Sequence, residues 1–394
     1  MDDRIACLLA RADVAAARSW LEAHDEHTLE LQLALTSIPA PTGDEVQRAA
    51  FVLDRFQDLE LADVASDAAG NVRARYGDGA GPGIIIAAHL DTVFAERVIR
   101  PQKEGGRLVA PGIGDNGRGL AAMIALAQAC AECEVRASRP ITFVATVGEE
   151  GEGDLRGVKH LFADQGFRPA GFIALDGPGL DRVVHRATGS RRLRASFSGP
   201  GGHSWAAFGV VNPAHAVGAA ACAIGELKLS VSPRATASVV RIGGGHSLNT
   251  IPQEAWLDLD LRAEEEPVLE AVERDAVAAC QRAVDRANRR RAPGTAGLEL
   301  ALSTLGARPS GATSDAHPLV QAAVAATRAL GVEPQLASAS TDANVPISLG
   351  VPAVALGAGG KGGDTHLASE WYENVGGSIG VVRALLVALA ATEH

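Results

Sequence analysis

The residues best suited to chemistry in this 394-residue sequence are histidines and carboxylates that follow apolar runs. His89 and Asp91 end the run that begins at Ile84, and side chains two residues apart share a face in an extended chain. Glu149 and Glu150 end a second run, and adjacent carboxylates repel each other unless a cation or a proton lies between them. Either pair alone also fits a structural pair or a solvated loop, but together they indicate a metal site.

Three more candidate ligands occur in similar positions. Asp176 follows an apolar run, His366 lies in a late loop, and Asp115 lies in the glycine-dense loop Pro111–Gly119. This loop lacks the Gly-Lys-Ser/Thr ending of a P-loop and does not fit the dinucleotide fingerprint, so we expect it to bring Asp115 to a metal. Imidazole nitrogens combined with carboxylate oxygens suit zinc, cobalt or manganese.

The elements that must position these side chains alternate between strand and helix. Short β-rich runs at Gly83–Ala88, Ile141–Val147 and Gly171–Leu175 surround a helical pattern at Gly119–Cys133, and a long closing helix is predicted for Trp371–Ala391. This rhythm predicts an α/β catalytic domain with a mostly parallel mixed sheet flanked by helices. Sites in such domains lie at the carboxyl ends of the strands.

A middle segment has a different pattern. Between Thr188 and Arg308, alternating strands are separated by helices predicted at Pro213–Leu227 and Val268–Arg289. We therefore expect an inserted α+β lid/dimerisation domain at 188–308, with a catalytic domain formed by residues 1–187 and 309–394. A chain of 394 residues is also longer than one hydrophobic core usually supports.

Composition excludes several classes of partner. A net charge of -11 argues against binding to nucleic acid or anionic lipid, and the one dense basic run, Arg286–Arg291, is expected to be a solvated helix end. The sequence has no apolar stretch of about 18 residues and no signal-like start, so we expect no membrane partner. The five scattered cysteines are expected to be reduced in a cytoplasmic protein.

Taken together, the motifs resemble the co-catalytic di-zinc metallopeptidases, the family of tripeptide aminopeptidase, glutamate carboxypeptidase, carnosinase-like dipeptidases, aminoacylase and acetylornithine deacetylase. The resemblance covers nearly the whole chain. It rests on His89–Val93, Gly114–Asn116, Gly148–Gly151, Asp176–Gly177, Gly199–Ser204 and Thr365–His366, in the order of the family.

The resemblance implies a specific ligand set for two zinc ions per subunit, with cobalt or manganese as alternatives. One zinc would be held by His89 and Asp176. The other would be held by Glu150 and His366, and Asp115 would bridge both. Members of the family often have a cis peptide bond after the bridging aspartate, here Asp115–Asn116.

The resemblance also implies roles for residues that are not ligands. Glu149 is similar to the general base of the family, and Asp91 to the residue that orients the first histidine. His203 resembles a histidine that stabilises the oxyanion, often across a dimer interface, which implies a homodimer through the inserted domain. Asn249 and Arg262 resemble lid residues that hold a substrate carboxylate, although a salt bridge within the lid is the alternative for Arg262.

The substrate class stays open at this level. Asp176 followed by Gly177, and the segment Ser340–Asn344, resemble the peptidase branch, so an aminopeptidase or small-peptide peptidase is the first hypothesis. An N-acyl amino acid amidohydrolase is the second hypothesis. The sequence after Asp115 departs from the better-known branches, which bears on the substrate and not on metal binding. A non-catalytic metal-binding protein is a remote third, since the general base and all proposed ligands are present.

Overall fold

The computed structural model describes residues 1–79, 81–164 and 166–392. The chain divides into two compact units: the first comprises Met1–Ala187 and the chain from Ala312 onward, and the second is Thr188–Gly311. The inserted unit therefore ends at 311, against the 308 expected from sequence. Among the residues described, none of the helices is both long and apolar enough to cross a membrane.

The helices in the described ranges are α1 (Asp2–Ala10), α2 (Ala12–Ala23), α3 (Asp25–Ser37), α4 (Val46–Asp58), α5 (Gly117–Glu132), α6 (Arg156–Leu161), α7 (Pro213–Gly225), α8 (Glu266–Arg289), α9 (Pro318–Ala329), α10 (Asn344–Ser348) and α11 (Gly377–Thr392).

The strands in the same ranges are β1 (Ala62–Ser66), β2 (Val72–Tyr76), β3 (Ile84–His89), β4 (Gln102–Glu104), β5 (Arg107–Val109), β6 (Ile141–Thr146), β7 (Gly171–Leu175), β8 (Arg182–Ala187), β9 (Gly189–Ser198), β10 (Gly202–His203), β11 (Ala235–Gly244), β12 (Thr250–Ile251), β13 (Glu254–Ala263), β14 (Glu299–Arg308), β15 (Gly311–Ala312), β16 (Gln335–Ala339), β17 (Ala353–Leu356), β18 (Lys361–Gly363) and β19 (Trp371–Glu373).

The large sheet of the first unit is mixed, with a parallel centre. Its strands lie in the order β1-β2-β6-β3-β7-β17-β8, and β16 also pairs with β8. The pairs β6-β3, β3-β7 and β7-β17 are parallel, whereas β1-β2, β2-β6 and β17-β8 are antiparallel. The predicted α/β class with a mixed sheet is confirmed.

Helices cover both faces of the central strands, which explains why those strands are apolar throughout. In β3, Ile84, Ile86 and Ala88 pack into one core cluster. Ile85 and Ala87 pack into another cluster on the opposite face. Helices α5 and α11 contact the first face of β3, α9 contacts β17 and β8 of the same sheet, and α1 and α2 pack against α11. The carboxyl end of β3 is therefore held rigidly from both sides.

The predicted closing helix at Trp371–Ala391 is wrong at its start. Trp371–Glu373 forms the strand β19, and the helix begins only at Gly377. The strand forms because β19 pairs with β18 on one side and with β5 on the other. The loop between β18 and β19 carries His366 and Glu370. The sheet of β18, β19 and β5 thus positions the loop that carries His366 and Glu370. The sequence pattern had predicted a helix directly after this loop.

The second unit has an α+β fold of its own. Its main sheet is antiparallel in the order β11-β13-β9-β14, and α7 and α8 pack over it. Along β13, Leu257, Leu259 and Leu261 are buried in the core of this unit, while Asp260 and Arg262 alternate with them. The short strands β10 and β12 pair with each other beside this sheet. The predicted inserted α+β domain is confirmed as a fold.

Candidate active site

His89 is the last residue of β3, and its ring is oriented by a backbone group. The Nδ1 atom lies 3.0 Å from the backbone oxygen of Asp91, and Nε2 lies 3.0 Å from Oδ1 of Asp115. Since a carbonyl oxygen can only accept, Nδ1 donates its proton, which leaves Nε2 available as a metal ligand. The Asp91 carboxylate is 3.6 Å from Nδ1, so the backbone rather than the side chain of Asp91 makes this contact.

The carboxylate of Asp91 instead holds the turn that follows β6. Its two oxygens accept the amides of Glu149 and Glu150, each at 2.9 Å, and the hydroxyl of Thr42 at 2.8 Å. Burial would raise the pKa of Asp91, but the nearby His89 ring and the hydrogen bonds from the Glu150 amide and the Thr42 hydroxyl lower it below its usual value. Asp91 therefore stays ionised and fixes the two adjacent glutamates.

The loop that presents Asp115 is held by Glu370, a residue that sequence reasoning missed. Its Oε1 accepts the amides of Gly114 at 2.8 Å and Asp115 at 2.7 Å, and its Oε2 accepts the amide of Gly112 at 3.0 Å. Burial raises the pKa of Glu370 to about 7. The sequence offers little signal for this contact, because no apolar run precedes Glu370.

Asn116 joins the Asp115 loop to the end of β7. Its Oδ1 accepts the amides of Gly119 and Gly177, each at 3.1 Å, and its Nδ2 donates to the oxygen of Leu175 at 2.9 Å. A side chain at Gly119 would collide with Asn116 and with the Leu175 backbone, so only glycine allows this approach. The predicted cis peptide bond at Asp115–Asn116 is confirmed.

Six side chains from three strand ends and two loops form overlapping donor groups. In each group, one donor atom per residue lies within 4.8 Å of the others, and the groups are His89 with Asp115 and Asp176, Asp115 with Glu150 and His366, and His89 with Glu149 and Glu150. Asp115 thus belongs to two groups, each of which also contains a histidine and a second carboxylate.

The electrostatics of this cluster favour a cation. Asp115 and Glu150 lie 3.4 and 2.9 Å from Nε2 of His366 and raise the pKa of this imidazole to about 10. Burial would lower the pKa of His89, but its carboxylate neighbours raise it. The carboxylates that attract protons to the imidazoles would equally attract a dication, and nitrogen with carboxylate oxygen is a donor set that fits zinc.

The segment Ser340–Asn344 contributes a buried acid below the cluster. Asp342 is 3% exposed, and its Oδ2 lies 2.5 Å from the hydroxyl of Thr146, the last residue of β6. Thr146 is the cross-strand neighbour of His89. Burial raises the pKa of Asp342 to about 6. The carboxyl group is therefore part of the support beneath the ligands.

His203 and Asn249 are brought together in the second unit. His203 pairs with Thr250 across β10 and β12, and the amide of Ser204 donates to the oxygen of Asn249 at 2.8 Å. The Nδ1 atom of His203 accepts the amide of Trp205 at 3.2 Å. Since Nδ1 is an acceptor here, the proton of the neutral ring is on Nε2, which can donate to a ligand.

Arg262 lies at the opposite end of β13 from this pair. It is cross-strand from Ser190, whereas Glu254, near β12, is cross-strand from Ser198. Eight residues of strand separate Glu254 from Arg262, or ~26 Å at about 3.3 Å per residue. The Arg262 guanidinium binds the carboxylate of Asp260 at 3.0 Å. The structure therefore does not bring Arg262 near His203 or Asn249 within one unit.

Known proteins are similar to this chain in sequence and in fold. Succinyl-diaminopimelate desuccinylase from Corynebacterium glutamicum is 27% identical over 237 residues, which are 58% of this chain and 64% of that protein, so the match spans less than two thirds of the relative. A tripeptidase from Staphylococcus aureus subsp. aureus Mu50 has 22% identity and a TM-score of 0.77, covering 94% of this chain and 99% of that chain.

Aminopeptidase PepT from Bacillus cereus ATCC 10987 has 21% identity and a TM-score of 0.74, also covering 94% of this chain and 99% of that chain. At such identities, the similarity of the structures shows the fold. A sequence model described as Peptidase family M20/M25/M40 matches residues 85–391. Since this match includes most of the chain and every residue of the donor groups, the chain belongs to peptidase family M20/M25/M40.

Proposed function

We propose that this chain is a metallopeptidase that hydrolyses amide bonds of small peptides, as an aminopeptidase or as a di- or tripeptidase. The observation that carries the proposal is the shared position of Asp115, whose carboxylate belongs to two donor groups. A carboxylate between two histidine-containing groups is well suited to bridge a pair of metal ions, and such pairs catalyse hydrolysis in aminopeptidases.

We assign two divalent ions to each subunit, with zinc first and cobalt or manganese as alternatives. His89 and Asp176 would hold one ion, Glu150 and His366 the other, and Asp115 would contact both; the grouping of these donors supports the assignment. When bound, the ions supply Lewis acidity to the substrate carbonyl and acidify the attacking water.

Glu149 is the proposed general base. It is 5% exposed, and its amide is held by Asp91, so its carboxylate stays at the edge of the cluster. The carboxylate takes one proton from the attacking water and delivers it to the leaving nitrogen, while a C–O bond forms and the C–N bond breaks. Asp91 is a positioning residue, because it acts through the backbone of the two glutamates.

His203 is the proposed donor to the oxyanion, through its protonated Nε2. Asn249 lies beside it, and both are exposed in the second unit. Arg262 is ~26 Å further along β13 at about 3.3 Å per residue, which is too far for one small substrate to touch both ends. If all three residues serve one substrate, they must come from two subunits. Arg262 then comes from the subunit whose donor groups hold the ions, and the other two are His203 of the partner subunit and Asn249 of the partner subunit.

A homodimer through the second unit is part of this proposal. β11 is at an edge of its sheet, and Val240 and Ile242 on this strand are 54% and 59% exposed. An exposed edge strand with apolar side chains is a surface that a second copy can cover. The neighbouring face of α7 presents the small residues Ala214 and Gly218 to solvent, which permits close helix packing.

A second candidate function is hydrolysis of N-acyl amino acids. The desuccinylase from Corynebacterium glutamicum supports it, since that name describes removal of an acyl group from an amino acid. The tripeptidase and the aminopeptidase among the similar structures support the peptidase proposal, and so does Asp176 followed by Gly177.

A substrate panel tests the proposal directly. We expect zinc- or cobalt-loaded protein to cleave free di- and tripeptides faster than N-acylated ones, and metal analysis to find about two ions per chain. Faster cleavage of the N-acyl compounds would favour the second function. Absence of hydrolysis across the whole panel in a fully loaded protein would contradict both.

A further inference from the structure

We infer that Glu45 is a positioning residue for Glu149 and that Arg156 holds Glu45 in place. Glu45 lies just before α4 and is not a member of the donor groups. It acts through the backbone of the turn Gly148–Glu150, which carries the proposed base. The inference therefore rests on the proposed function. The family match begins at residue 85 and does not include Glu45.

Carboxylates accept the amides of all three residues in this turn. Oε1 of Glu45 accepts the amide of Gly148 at 3.2 Å. The two oxygens of Asp91 accept the amides of Glu149 and Glu150, each at 2.9 Å. Gly148 has a φ of 64°, the left-handed conformation that glycine adopts readily in tight turns. Two carboxylates from different parts of the chain thus fix the backbone that presents the base.

Arg156 binds the carboxylate of Glu45 with both terminal nitrogens of its guanidinium group. Its Nη2 lies 2.6 Å from Oε2, and its Nη1 lies 3.2 Å from Oε1. Glu45 is 3% exposed, and a buried carboxylate needs such a partner because burial removes its hydration. A Cβ atom at Gly148 would collide with Arg156, so the guanidinium group lies directly against the turn. The bidentate pair therefore orients the oxygen that faces Gly148.

The side chain of Glu45 does not serve its own helix. Glu45 is the N-cap residue of α4, a position from which a side chain commonly accepts an amide of the first turn, but among the residues described it forms no such bond. Its Oε1 instead accepts the amides of Gly43 and Gly148. Thr42, three residues earlier, donates its hydroxyl to Asp91 at 2.8 Å. The segment 42–45 therefore supplies one of the two carboxylates that hold the turn and fixes the other.

A buried ion pair can also serve stability alone, and Asp13 separates the two roles. Like Glu45, Asp13 pairs with an arginine, since Arg11 lies 2.6 Å away. It also accepts a backbone amide from a distant segment, that of Arg136 at 2.9 Å. Arg136 follows the end of α5, whereas Asp115 precedes its start, and the 16 residues of this helix span ~24 Å at about 1.5 Å per residue. Asp13→Asn is therefore a matched control, which removes the same kind of contact far from the site.

The first measurement follows the backbone of the turn and does not require turnover. Hydrogen exchange, read by mass spectrometry on peptides that cover Gly148–Glu150, is compared between metal-loaded wild type and variants. We expect Glu45→Gln and Arg156→Gln to speed exchange in these peptides by about tenfold, the size expected for loss of a hydrogen bond to a charged group. Asp13→Asn should leave these peptides unchanged and speed exchange only around Arg136.

The second measurement is the rate of tripeptide hydrolysis by the same metal-loaded proteins. For Glu45→Gln, we expect kcat to fall by about 10- to 100-fold, because a small displacement of the base is costly, while KM stays within about twofold and metal content is unchanged. In a Glu149→Gln background, Glu45→Gln should cause no further loss, since the carboxylate through which it acts is already absent. Asp13→Asn should keep the wild-type kcat.

Two results would overturn the inference: unchanged exchange at Gly148–Glu150 in Glu45→Gln, or a loss of kcat that recurs in full in the Glu149→Gln background. The second result would mean that Glu45 acts on the fold or on the ions. Thermal melting verifies that the variants are folded, and Arg156→Gln, at a partly exposed side chain, replaces Glu45→Gln if that variant does not fold. The proposed function fails in a different way, through a metal-loaded wild type that cleaves no peptide while its exchange still responds to Glu45→Gln.

Discussion

In the first unit, His89, Asp91 and Glu150 are buried and held by hydrogen bonds to backbone groups, whereas in the second unit His203 and Asn249 are exposed. The side chains that surround these two sets differ in exposure in the same way. Thr146 is fully buried beneath the ligands, and apolar side chains around the exposed pair, such as Trp205 and Leu248, are 87% and 106% exposed. The first set is held in a fixed geometry by buried neighbours, while the second is open to solvent.

This difference indicates a division of labour. Buried donors keep their geometry because the surrounding backbone fixes them, so their effect on a reaction does not depend on assembly. Exposed donors become effective only when a substrate or a second subunit desolvates them.

Removal of the proposed base should have the largest effect on the first unit. Glu149→Gln keeps the shape of the side chain but cannot take a proton, so we expect kcat to fall by about 10³-fold, within the range for general base catalysis. Metal content should stay at that of the wild type. Glu152→Gln, at a nearby exposed position, is the control. A Glu149→Gln protein with wild-type kcat would disprove the mechanism.

Loss of the exposed histidine should have the next largest effect. For His203→Ala, we expect a decrease in kcat of about 10²-fold, as for loss of one oxyanion donor, with unchanged metal content and melting temperature. Subunit exchange makes the test sharper. An equal mixture of Glu149→Gln and His203→Ala proteins should recover roughly a quarter of wild-type activity if the histidine acts across a two-fold dimer. No recovery after verified exchange would place His203 in its own subunit's site.

Substitution of Glu370 tests whether the hydrogen bonds that hold the Asp115 loop contribute to metal affinity. Glu370→Gln replaces one acceptor oxygen with a donor that faces backbone amides, so the Asp115 loop should loosen. We expect metal affinity to fall by about 10- to 100-fold and excess zinc to restore kcat. Glu104→Gln, exposed on β4, is the matched control. A loss of activity that excess zinc does not restore would assign Glu370 another role.

The smallest effect is a change of stability with pH in metal-free protein. The pKa of His366 is raised from 6.5 to about 10, so the folded chain holds this proton more tightly than the unfolded chain. This stabilisation is complete below pH 6.5 and is lost as pH rises through 10. We expect Tm to fall by a few degrees between pH 7 and 10 and the fall to be absent in His366→Gln. A pH-independent Tm in the stripped wild type would contradict this.

The sequence predicted the central strands and the residues at their ends because burial on both faces produces long apolar runs that stop at polar residues. It did not predict the contact between Glu370 and the Asp115 loop. The two are 255 residues apart in the chain, and only the folded structure brings them together. It also placed Trp371–Glu373 in a helix, since the partner strand β5 that makes this segment extended lies far away in the chain.

The role of Asp91 shows the same limit in finer detail. Its spacing from His89 suggested that the carboxylate would orient the imidazole, but in the structure the backbone oxygen does so. The two-residue repeat of a strand predicts which side chains lie on the same face. It does not show whether a main-chain or a side-chain oxygen accepts the hydrogen bond. The arrangement of Glu149 and Glu150 around this carboxylate depends on the turn after β6, which no local pattern specifies.

The two candidate ligand histidines differ sharply in access to solvent, and this has a consequence for metal exchange. The side chain of His89 is 3% exposed, whereas that of His366 is 50% exposed. If the two proposed ions are bound, a chelator would therefore reach the ion at His366 first, and the ion at His89 would leave later. Partial removal of the metal followed by addition of cobalt should then produce a protein with two different metals. Cobalt would occupy the position at His366, and the original metal would remain at His89.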